Sequence, residues 1–421
     1  MSFEARYQKI LALAEVLEAN KPTLISLANK DLNFTVRDTE FEVNLAIERL
    51  RMFGETRQFL ERRRPLGGEG SQVAVMLSYN GSAWLNIVIT STYLVGNRVL
   101  VRFSSKGADL LALTESMYRP IFKEDVLFSR STGKEFLDDA LTDPQIAAVV
   151  VFGFDANILP YQAAFQENGK KLIFEGPGTD PFIVFADADQ DLALADLLVA
   201  KFAYSGQTCT APKRIFLHQD IYEKFLGKFV ARVAKLKVGD PADPGTTITP
   251  VASDLAIERL HRQLTDAVKK GAKILTGGEI RGNLVLPTVI RDATDDMLGL
   301  EEEVFGPVAF TTSFASTAEV ITRARQSRYG LRAALFGGAE AQRAAAALKG
   351  EDYCHPVPDY LFGKFGTVAV NEKRAASWRG AFVTRAVGGY GYSGWIWETV
   401  NGQFRIKQGP KLISLETSVP A

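Results

Sequence analysis

One stretch of the chain carries residue types that can act as a nucleophile. Cys209, one of two cysteines in the 421 residues, lies in the sequence FAYSGQTCTAPKR at 202–214. A thiolate is the reactive form of cysteine, and cations or a helix N-terminus beside it lower its pKa. Lys213 and Arg214 follow within five positions, and Gly206 allows a tight turn that brings the backbone close to a substrate. The stretch predicts an exposed nucleophile on a loop before a strand at 215–217. Taken alone, Cys209 favours a buried structural cysteine over a nucleophile, because free cysteine is among the most buried residue types.

A carboxylate occupies a second candidate position upstream. Glu175 follows the apolar segment 171–174 and precedes Gly176-Pro177-Gly178. A carboxylate at the end of a parallel strand, followed by glycines, is well placed to face a ligand crevice. The alternative for Glu175 alone is a solvated acid on a loop.

The composition is that of a globular protein of two or three domains. Hydrophobic residues make up 46% and charged residues 23%, and 49 basic side chains balance 49 acidic ones. This balance does not favour nucleic acid or an anionic membrane as a partner. Two distant cysteines form neither a disulfide framework nor a zinc pattern, and Cys354-His355 has no further ligands nearby, so no metal site is predicted. The first residues read as a charged amphipathic helix rather than a signal peptide, which predicts a cytoplasmic location.

Helical and strand patterns alternate along most of the chain. Residues 1–60 have helical periodicity with a break expected at Lys21-Pro22. Apolar strands are predicted at 73–77, 98–103, 126–128 and 147–152, with helices between them. Fully apolar strands that alternate with helices predict a parallel sheet covered on both faces, and therefore the α/β class.

Several segments resemble motifs of the aldehyde dehydrogenase superfamily, and they occur in the family's order. They are SYNGSAW at 78–84, VGNRVLVRFSS at 95–105, FEGPGTDPFIV at 174–184, SGQTC at 205–209, EEEVFGPV at 301–308, GTVAVN at 366–371 and GGYGYSG at 388–394. The separation of 34 positions between Glu175 and Cys209 also fits the family pattern. The resemblance runs from near residue 5 to the end, and it favours the nucleophile over the structural cysteine.

The resemblance implies an aldehyde-dehydrogenase-like α/β fold. A Rossmann-type cofactor domain would comprise 1–60 and 77–176 with part of 386–404. The catalytic α/β domain would comprise 177–385, and a small oligomerisation strand element 61–76 and 405–421. An alternating tail at 411–417 would pair with another subunit, giving a homodimer or a dimer of dimers.

The resemblance also implies a role for each matching residue. Cys209 would attack an aldehyde and form a thiohemiacetal, the Asn80 amide would stabilise the oxyanion, and Glu175 would activate water to hydrolyse the thioester. The residues implied in cofactor binding are Ser78, Arg102, Ser105, Gly153, Glu303 and Phe305. Lys201, Lys213 and Arg214 are interpreted as structural or solvated side chains.

The chain departs from the family pattern at several places. It is shorter than most members and is expected to be an N-terminally short one. Phe154-Asp155 replaces the Ser-Thr pair of the phosphate loop, and Ile158 replaces its second glycine. Gly176-Pro177 replaces a leucine-glycine pair. Two alternatives therefore stay beside hydrolytic NAD(P)-dependent aldehyde oxidation: a CoA-acylating aldehyde dehydrogenase, and a non-catalytic binding protein of the same fold.

Residues near the second predicted strand favour NADP over NAD. Relatives that prefer NAD often carry a glutamate three positions after the strand's lysine, where it repels the extra phosphate. Here Ser105 takes that position, Arg102 replaces the lysine, and Lys106 adds positive charge. An arginine can hold a phosphate in a bidentate manner, so NADP is the predicted cofactor, with NAD as the alternative.

Overall fold

The computed structural model describes residues 1–60, 65, 68, 70–80, 86–349, 365–373 and 388–409. Its helices are α1 (Phe3–Leu32), α2 (Val36–Met52), α3 (Arg57–Leu60), α4 (Asn86–Leu94), α5 (Ala108–Phe122), α6 (Gly133–Thr142), α7 (Asp155–Ile158), α8 (Gln162–Glu167), α9 (Gln190–Phe202), α10 (Tyr222–Val233), α11 (Asp254–Lys269), α12 (Leu298–Glu301), α13 (Thr317–Arg325) and α14 (Ala339–Leu348).

Most strands of the described residues belong to two larger sheets. They are β1 (Gln72–Met76), β2 (Arg98–Arg102), β3 (Val126–Ser129), β4 (Ile146–Phe152), β5 (Lys171–Glu175), β6 (Asp180–Val184), β7 (Pro212–His218), β8 (Lys273–Thr276), β9 (Ile280–Arg281), β10 (Leu284–Val285), β11 (Thr288–Arg291), β12 (Val308–Phe314), β13 (Tyr329–Gly330), β14 (Arg332–Phe336), β15 (Thr367–Val370), β16 (Tyr390–Gly391), β17 (Gly394–Val400) and β18 (Gln403–Gln408).

The first sheet has the order β18-β17-β5-β4-β1-β2-β3. The strands β1 to β5 run parallel, whereas β17 is antiparallel to both β5 and β18. The strand order reverses between β1 and β4, and ligands of open α/β sheets bind beyond the carboxyl ends of the strands at such a point. Ser78 follows β1 and Gly153 follows β4, so both lie at this edge.

The second sheet has the order β15-β14-β6-β7-β12-β11-β8. Its neighbouring strands are parallel except for β8, which pairs antiparallel with β11. The chain leaves the first sheet at Glu175 and enters the second at Asp180, so a connection of four residues joins them. The predicted α/β class is confirmed, and the short connection places the end of β5 beside the second sheet.

Alternating side chains bury both faces of the first sheet. Val73 and Val75 pack with α1, α2, α4 and α5, while Ala74 faces the cluster formed by α6, α8 and β17. Burying an aliphatic side chain of this size contributes about 1.5–3 kcal/mol. A sheet covered on both faces explains why the central residues of these strands are apolar on both sides.

The first helix does not break at Pro22. Helix α1 runs without interruption from Phe3 to Leu32 with Pro22 inside it. Proline removes the hydrogen bond to the carbonyl four residues before it, yet Leu17 and Leu24 on either side are both buried. The buried face of α1 continues across Pro22. Its packing keeps the helix continuous, although a proline inside a helix predicts a break.

Two parts of the predicted oligomerisation element belong instead to the first sheet. Residues 72–76 form β1, which pairs with β2 on one side and β4 on the other. Residues 405–408 lie in β18, which pairs with β17 of the same chain. The boundary at 76 is therefore wrong, because a central parallel strand already begins at Gln72. The predicted tail at 411–417 lies outside the described residues. Among those residues, no helix is both long and apolar enough to cross a membrane.

Candidate active site

Glu175 is the last residue of β5 and lies where the two sheets meet. Its backbone is opposite Gly394 of β17. The following loop is held firmly, because Gly176 donates its N–H to the Ser393 carbonyl at 3.1 Å and the Ser393 hydroxyl bonds the Pro177 carbonyl at 2.6 Å. A Cβ on Gly176 would lie 2.6 Å from the Tyr392 carbonyl oxygen. The close approach requires glycine and gives a reason for the departure from the family pattern at Gly176.

The nucleophile loop begins in a strained turn. Tyr204, Ser205 and Gly206 all have positive φ, at 53°, 54° and 75°. Two consecutive non-glycine residues in this region cost of order 1–3 kcal/mol each and persist only where the surroundings hold them. Asp38 of α2 accepts the Tyr204 N–H at 2.8 Å, and the Ser205 hydroxyl bonds that of Thr249 at 2.9 Å. The turn before Cys209 is therefore held on one side by α2 and on the other by the segment that contains Thr249.

Gly206 approaches another backbone rather than a substrate. A Cβ at this position would lie 2.2 Å from the Gly306 carbonyl oxygen, on the loop that follows Glu303. The expected purpose of the glycine is therefore corrected: it lets the nucleophile loop touch the Glu303 loop.

Cys209 and Glu175 are in contact. Cys209 is partly exposed as a residue, but its thiol is buried and hydrogen-bonds the Glu175 carboxyl, so the nucleophile is less exposed than the sequence predicts. Burial raises the pKa of Glu175 to about 8, since the thiol and the Lys213 ammonium offset it only in part while Glu303 and Asp180 add to it. Burial also raises the pKa of the Cys209 thiol, and the charge of Glu175 raises it further. Because its pKa is near 8, the Glu175 carboxyl can accept a proton near neutral pH.

Glu303 faces the same space from the loop after α12. Its side chain is 5% exposed and lies 3.6 Å from the fully buried Lys213 Nζ. The Gly178 N–H points at Glu303 Oε1 from 3.4 Å. Burial raises the pKa of Glu303 to about 7, against the opposing effects of Lys213 and the Gly178 N–H.

The lysine and the arginine after Cys209 differ in role. Arg214 is buried and donates to the carbonyls of Thr179, Arg323 and Ala324, and burial lowers its pKa to about 10. It is structural, as the sequence analysis expects. Lys213 is not solvated, because it lies under the nucleophile loop beside Glu303. Of the two expected roles, structural or solvated, its burial excludes the solvated one, and the strand that carries it begins at Pro212 rather than at residue 215.

The segment that carries Asn80 is tied to the nucleophile loop. Tyr79 donates its hydroxyl to Gln207 Oε1 at 3.2 Å, two residues before Cys209. The Ser78 hydroxyl hydrogen-bonds Asn80 Oδ1, so the amide offers its N–H groups rather than its oxygen to a further partner. This orientation suits a donor to an oxyanion.

The crevice beyond β4 contains an unusual aromatic group. Phe154 follows Gly153, and the Arg259 guanidinium lies 4.0 Å from the centre of its ring. The Phe305 ring packs edge to face against the Phe154 ring, with 6.4 Å between ring centres. It packs in the same way against the Tyr79 ring, with 6.1 Å between centres. Phe305 thus joins the Asn80 segment to the crevice beyond Gly153.

The residues present fit a dinucleotide. A Cβ on Gly153 would meet no atom within 4 Å, so the crevice is open at the point where a phosphate backbone would cross it. Positions 154 and 155 are phenylalanine and aspartate, so they lack the hydroxyl groups of the family's phosphate loop. The helix that follows, α7, is short and spans only Asp155–Ile158. In such a fit, Glu303 would meet one end of the dinucleotide, and the adenosine side would lie beyond β2.

Arg102 and Ser105 lie at that adenosine side. Arg102 ends β2 and is half-buried, which lowers its pKa, and its Nε points at the Ser131 carbonyl from 3.4 Å. Ser105 opens an exposed turn, Ser105–Gly107. No carboxylate stands between Arg98 and Gly107 in the sequence, whereas Asp31 of α1 accepts the N–H groups of Asp109 and Leu110 just after the turn.

The structure therefore brings the predicted site residues into two groups. Cys209, Glu175 and Glu303 share one buried space, and the Asn80 segment is attached to it through Tyr79 and Gln207. Ser78, Gly153 and Phe305 border the crevice, and Arg102 and Ser105 stand at its far end. The Cys354-His355 pair lies outside the described residues.

Comparisons with known proteins agree with this architecture. The sequence pattern of the Aldehyde dehydrogenase family matches residues 1–400. A protein named succinate-semialdehyde dehydrogenase [NADP(+)] from Mycobacterium avium is 29% identical over 348 residues, which cover 78% of this chain and 74% of that one. The mitochondrial succinate-semialdehyde dehydrogenase of Arabidopsis thaliana is 41% identical over 206 residues, 48% of this chain and 39% of that one.

Solved structures share the fold at low sequence identity. Succinate-semialdehyde dehydrogenase from Burkholderia pseudomallei superposes with a TM-score of 0.83 at 23% identity, covering 94% of this chain and 82% of that one. Glyceraldehyde-3-phosphate dehydrogenase GapN from Methanocaldococcus jannaschii, solved with NADP, gives a TM-score of 0.81 at 22% identity over 94% and 85% of the two chains. Together with the family match over nearly the whole length, the shared fold shows that this chain belongs to the aldehyde dehydrogenase family.

Proposed function

We propose that this chain oxidises an aldehyde to a carboxylic acid with NADP, through a thioester on Cys209. The observation that carries the proposal is the contact between the Cys209 thiol and the Glu175 carboxyl, whose pKa is raised by burial to about 8. A carboxyl that touches the nucleophile is placed to activate the water that must attack an acyl group formed on that sulfur.

In the first step, the Cys209 thiol loses its proton to solvent, and the resulting thiolate attacks the carbonyl carbon of the aldehyde to form a C–S bond. The carbonyl oxygen gains the negative charge, which the Asn80 amide and the Cys209 backbone N–H stabilise. When bound, the nicotinamide cofactor accepts the hydride that leaves the same carbon, and the thioester results.

In the second step, Glu175 takes a proton from water, which attacks the thioester carbon. The C–S bond breaks, the acid leaves, and the sulfur returns as a thiolate. Since Glu175 must be deprotonated to act, its raised pKa makes hydrolysis speed up as pH rises towards about 8.

Six side chains and backbone positions would hold the cofactor: Ser78, Arg102, Ser105, Gly153, Glu303 and Phe305. The positive charge of Arg102 and the absence of an acid at Ser105 support NADP, and the M. avium relative is named for NADP(+). That relative and the plant relative are both named for succinate semialdehyde, which makes it the first aldehyde to test.

A direct assay tests the proposal. The chain is mixed with an aldehyde panel that includes succinate semialdehyde, with NADP or NAD, and with or without coenzyme A. Reduced nicotinamide is followed by absorbance and the product by mass spectrometry. The proposal expects a free acid, no requirement for coenzyme A, and a higher kcat/KM with NADP. Formation of an acyl-CoA, or no reduced cofactor with any aldehyde, would contradict it.

We also propose a homodimer or dimer of dimers in the cytoplasm. Strand β18 is the outer strand of the first sheet and exposes Ile406, which is 43% accessible, so it offers an edge on which another chain could extend the sheet. A reactive free thiol is compatible with a reducing compartment. Light scattering on the chain, and on a chain truncated after residue 409, tests the assembly, and cell fractionation tests the location.

A further inference from the structure

The strand that carries Lys213 changes register at that residue. Asp180 of β6 pairs with Pro212, but the next residue, Pro181, pairs with Arg214. Lys213 is therefore an extra residue in β7. Bulges of this kind are unusual between parallel strands, and next to active sites they redirect a side chain.

The redirected ammonium lies under the nucleophile loop. Lys213 Nζ donates to the Thr208 carbonyl at 3.1 Å and also to the Cys209 carbonyl. Its third neighbour is the Glu303 carboxylate at 3.6 Å, and the side chain is completely buried. Two hydrogen bonds and one ion pair thus join the ammonium to the two loops that carry Cys209 and Glu303.

The surrounding charges are mainly negative. The titratable groups that act on this space are Glu175 of β5, Asp180 of β6, Glu303 after α12, Arg259 of α11, Tyr79 after β1 and Tyr329 of β13. Among the groups that act on Cys209, Glu175, Glu303 and Asp180 oppose ionisation of the thiol, whereas Lys213 favours it. Opposite charges interact strongly where solvent is excluded.

We propose that Lys213 is a positioning residue for the nucleophile, whose buried ammonium fixes the Thr208–Cys209 backbone against Glu303 and stabilises the Cys209 thiolate. The inference rests on the proposed role of Cys209 as the nucleophile. It adds that the bulge in β7 exists to supply a compensating charge at a site crowded with carboxylates.

The thiolate can be observed without turnover. The rate of iodoacetamide alkylation of Cys209 is measured against pH, with the modified peptide identified by mass spectrometry so that Cys354 does not contribute. Lys213→Met keeps the length of the side chain and removes the charge. We expect the midpoint of the pH profile to rise by about one unit or more, with about tenfold slower alkylation at neutral pH.

Two further variants make the result specific. Lys201→Met removes an equally buried lysine from α9 and is expected to leave the midpoint unchanged. Glu303→Gln removes one of the opposing charges and is expected to lower the midpoint, in the direction opposite to Lys213→Met. This second variant carries the test if Lys213→Met does not fold.

The outcomes separate the inference from the proposed function. Two results overturn the role of Lys213 while Cys209 remains the nucleophile. The first is an alkylation midpoint that does not change in folded Lys213→Met, and the second is one that does not change in Glu303→Gln. A shift of the same size in Lys201→Met would also overturn it, since loss of any buried charge would then suffice. An aldehyde-oxidising enzyme whose Cys209 resists alkylation at every pH would instead contradict the proposed function.

Discussion

The backbone of Gly206 rests directly on that of Gly306, so closely that a Cβ at 206 would lie 2.2 Å from the Gly306 carbonyl oxygen. Gly206 belongs to the turn before Cys209, and Gly306 follows Glu303 by three positions. The contact fixes the separation between the nucleophile loop and the loop that carries Glu303. The geometry of the site therefore depends on a glycine that touches no reacting atom.

Gly206→Ala is expected to destabilise the fold by about 3 kcal/mol, since overpacking and a left-handed backbone each cost about 1–3 kcal/mol. Gly227→Ala is the matched control, because Gly227 lies in α10 with no atom within 4 Å of an added Cβ. It is expected to stabilise by about 0.5–1 kcal/mol. Urea unfolding measures both. Equal effects of the two variants would contradict the close contact.

Glu175→Gln is expected to separate the two chemical steps. Thioester formation precedes the role of Glu175, so a rapid burst of about one reduced cofactor per active site should remain. Steady turnover should fall by about 10²–10³-fold, because the water that attacks the thioester loses its base. Stopped-flow absorbance records both phases. Loss of the burst as well would show that Glu175 acts before hydrolysis.

The same variant is expected to change how stability depends on pH. The folded pKa of Glu175, about 8, lies above its ordinary value of 4.5. The folded state thus holds the proton more tightly, so this contribution to stability is full below about pH 4.5 and is lost as pH rises through about 8. Glutamine does not ionise, so Glu175→Gln does not lose stability in this way as the pH rises. Its Tm advantage over the native chain should grow between about pH 5 and 8, and parallel Tm curves would argue against a raised pKa.

Ser105→Glu is expected to reverse the preference for NADP. A carboxylate three positions after Arg102 would repel the extra phosphate, lowering kcat/KM with NADP by about 10–100-fold while NAD is affected less. Ser104→Ala, next to it in the same turn, serves as the control and should leave the ratio nearly unchanged. Initial rates with both cofactors decide. If Ser105→Glu used NADP as fast as the native chain, Ser105 would not be the position that determines the preference for NADP.

Much of the architecture is predictable from the sequence because it follows from local patterns. Fully apolar segments predict the parallel strands, and Glu175 falls at the end of β5 as its position after an apolar run indicates. The approach of Glu175 to Cys209 follows from motif order, since both belong to segments that resemble one family.

The features that the sequence does not reveal depend on tertiary contacts. Pro22 ends a helix by local rules, but packing on both sides of it keeps α1 continuous. The sequence leaves Lys213 as either a structural or a solvated side chain, and only the bulge against Asp180 and Pro181 shows that it lies inside. Ser393 clamps the Pro177 loop from 216 positions away, a pairing that no local pattern encodes.

The most direct measurement is turnover by Cys209→Ser, with cofactor affinity measured on the same preparation. A hydroxyl has a far higher pKa than a thiol and is a poor nucleophile beside a base of pKa about 8. We expect kcat to fall by at least about 10³-fold, the burst to vanish, and the Kd for NADP to stay within about twofold. Retained turnover in Cys209→Ser would contradict the central claim that the reaction passes through a thioester on this residue.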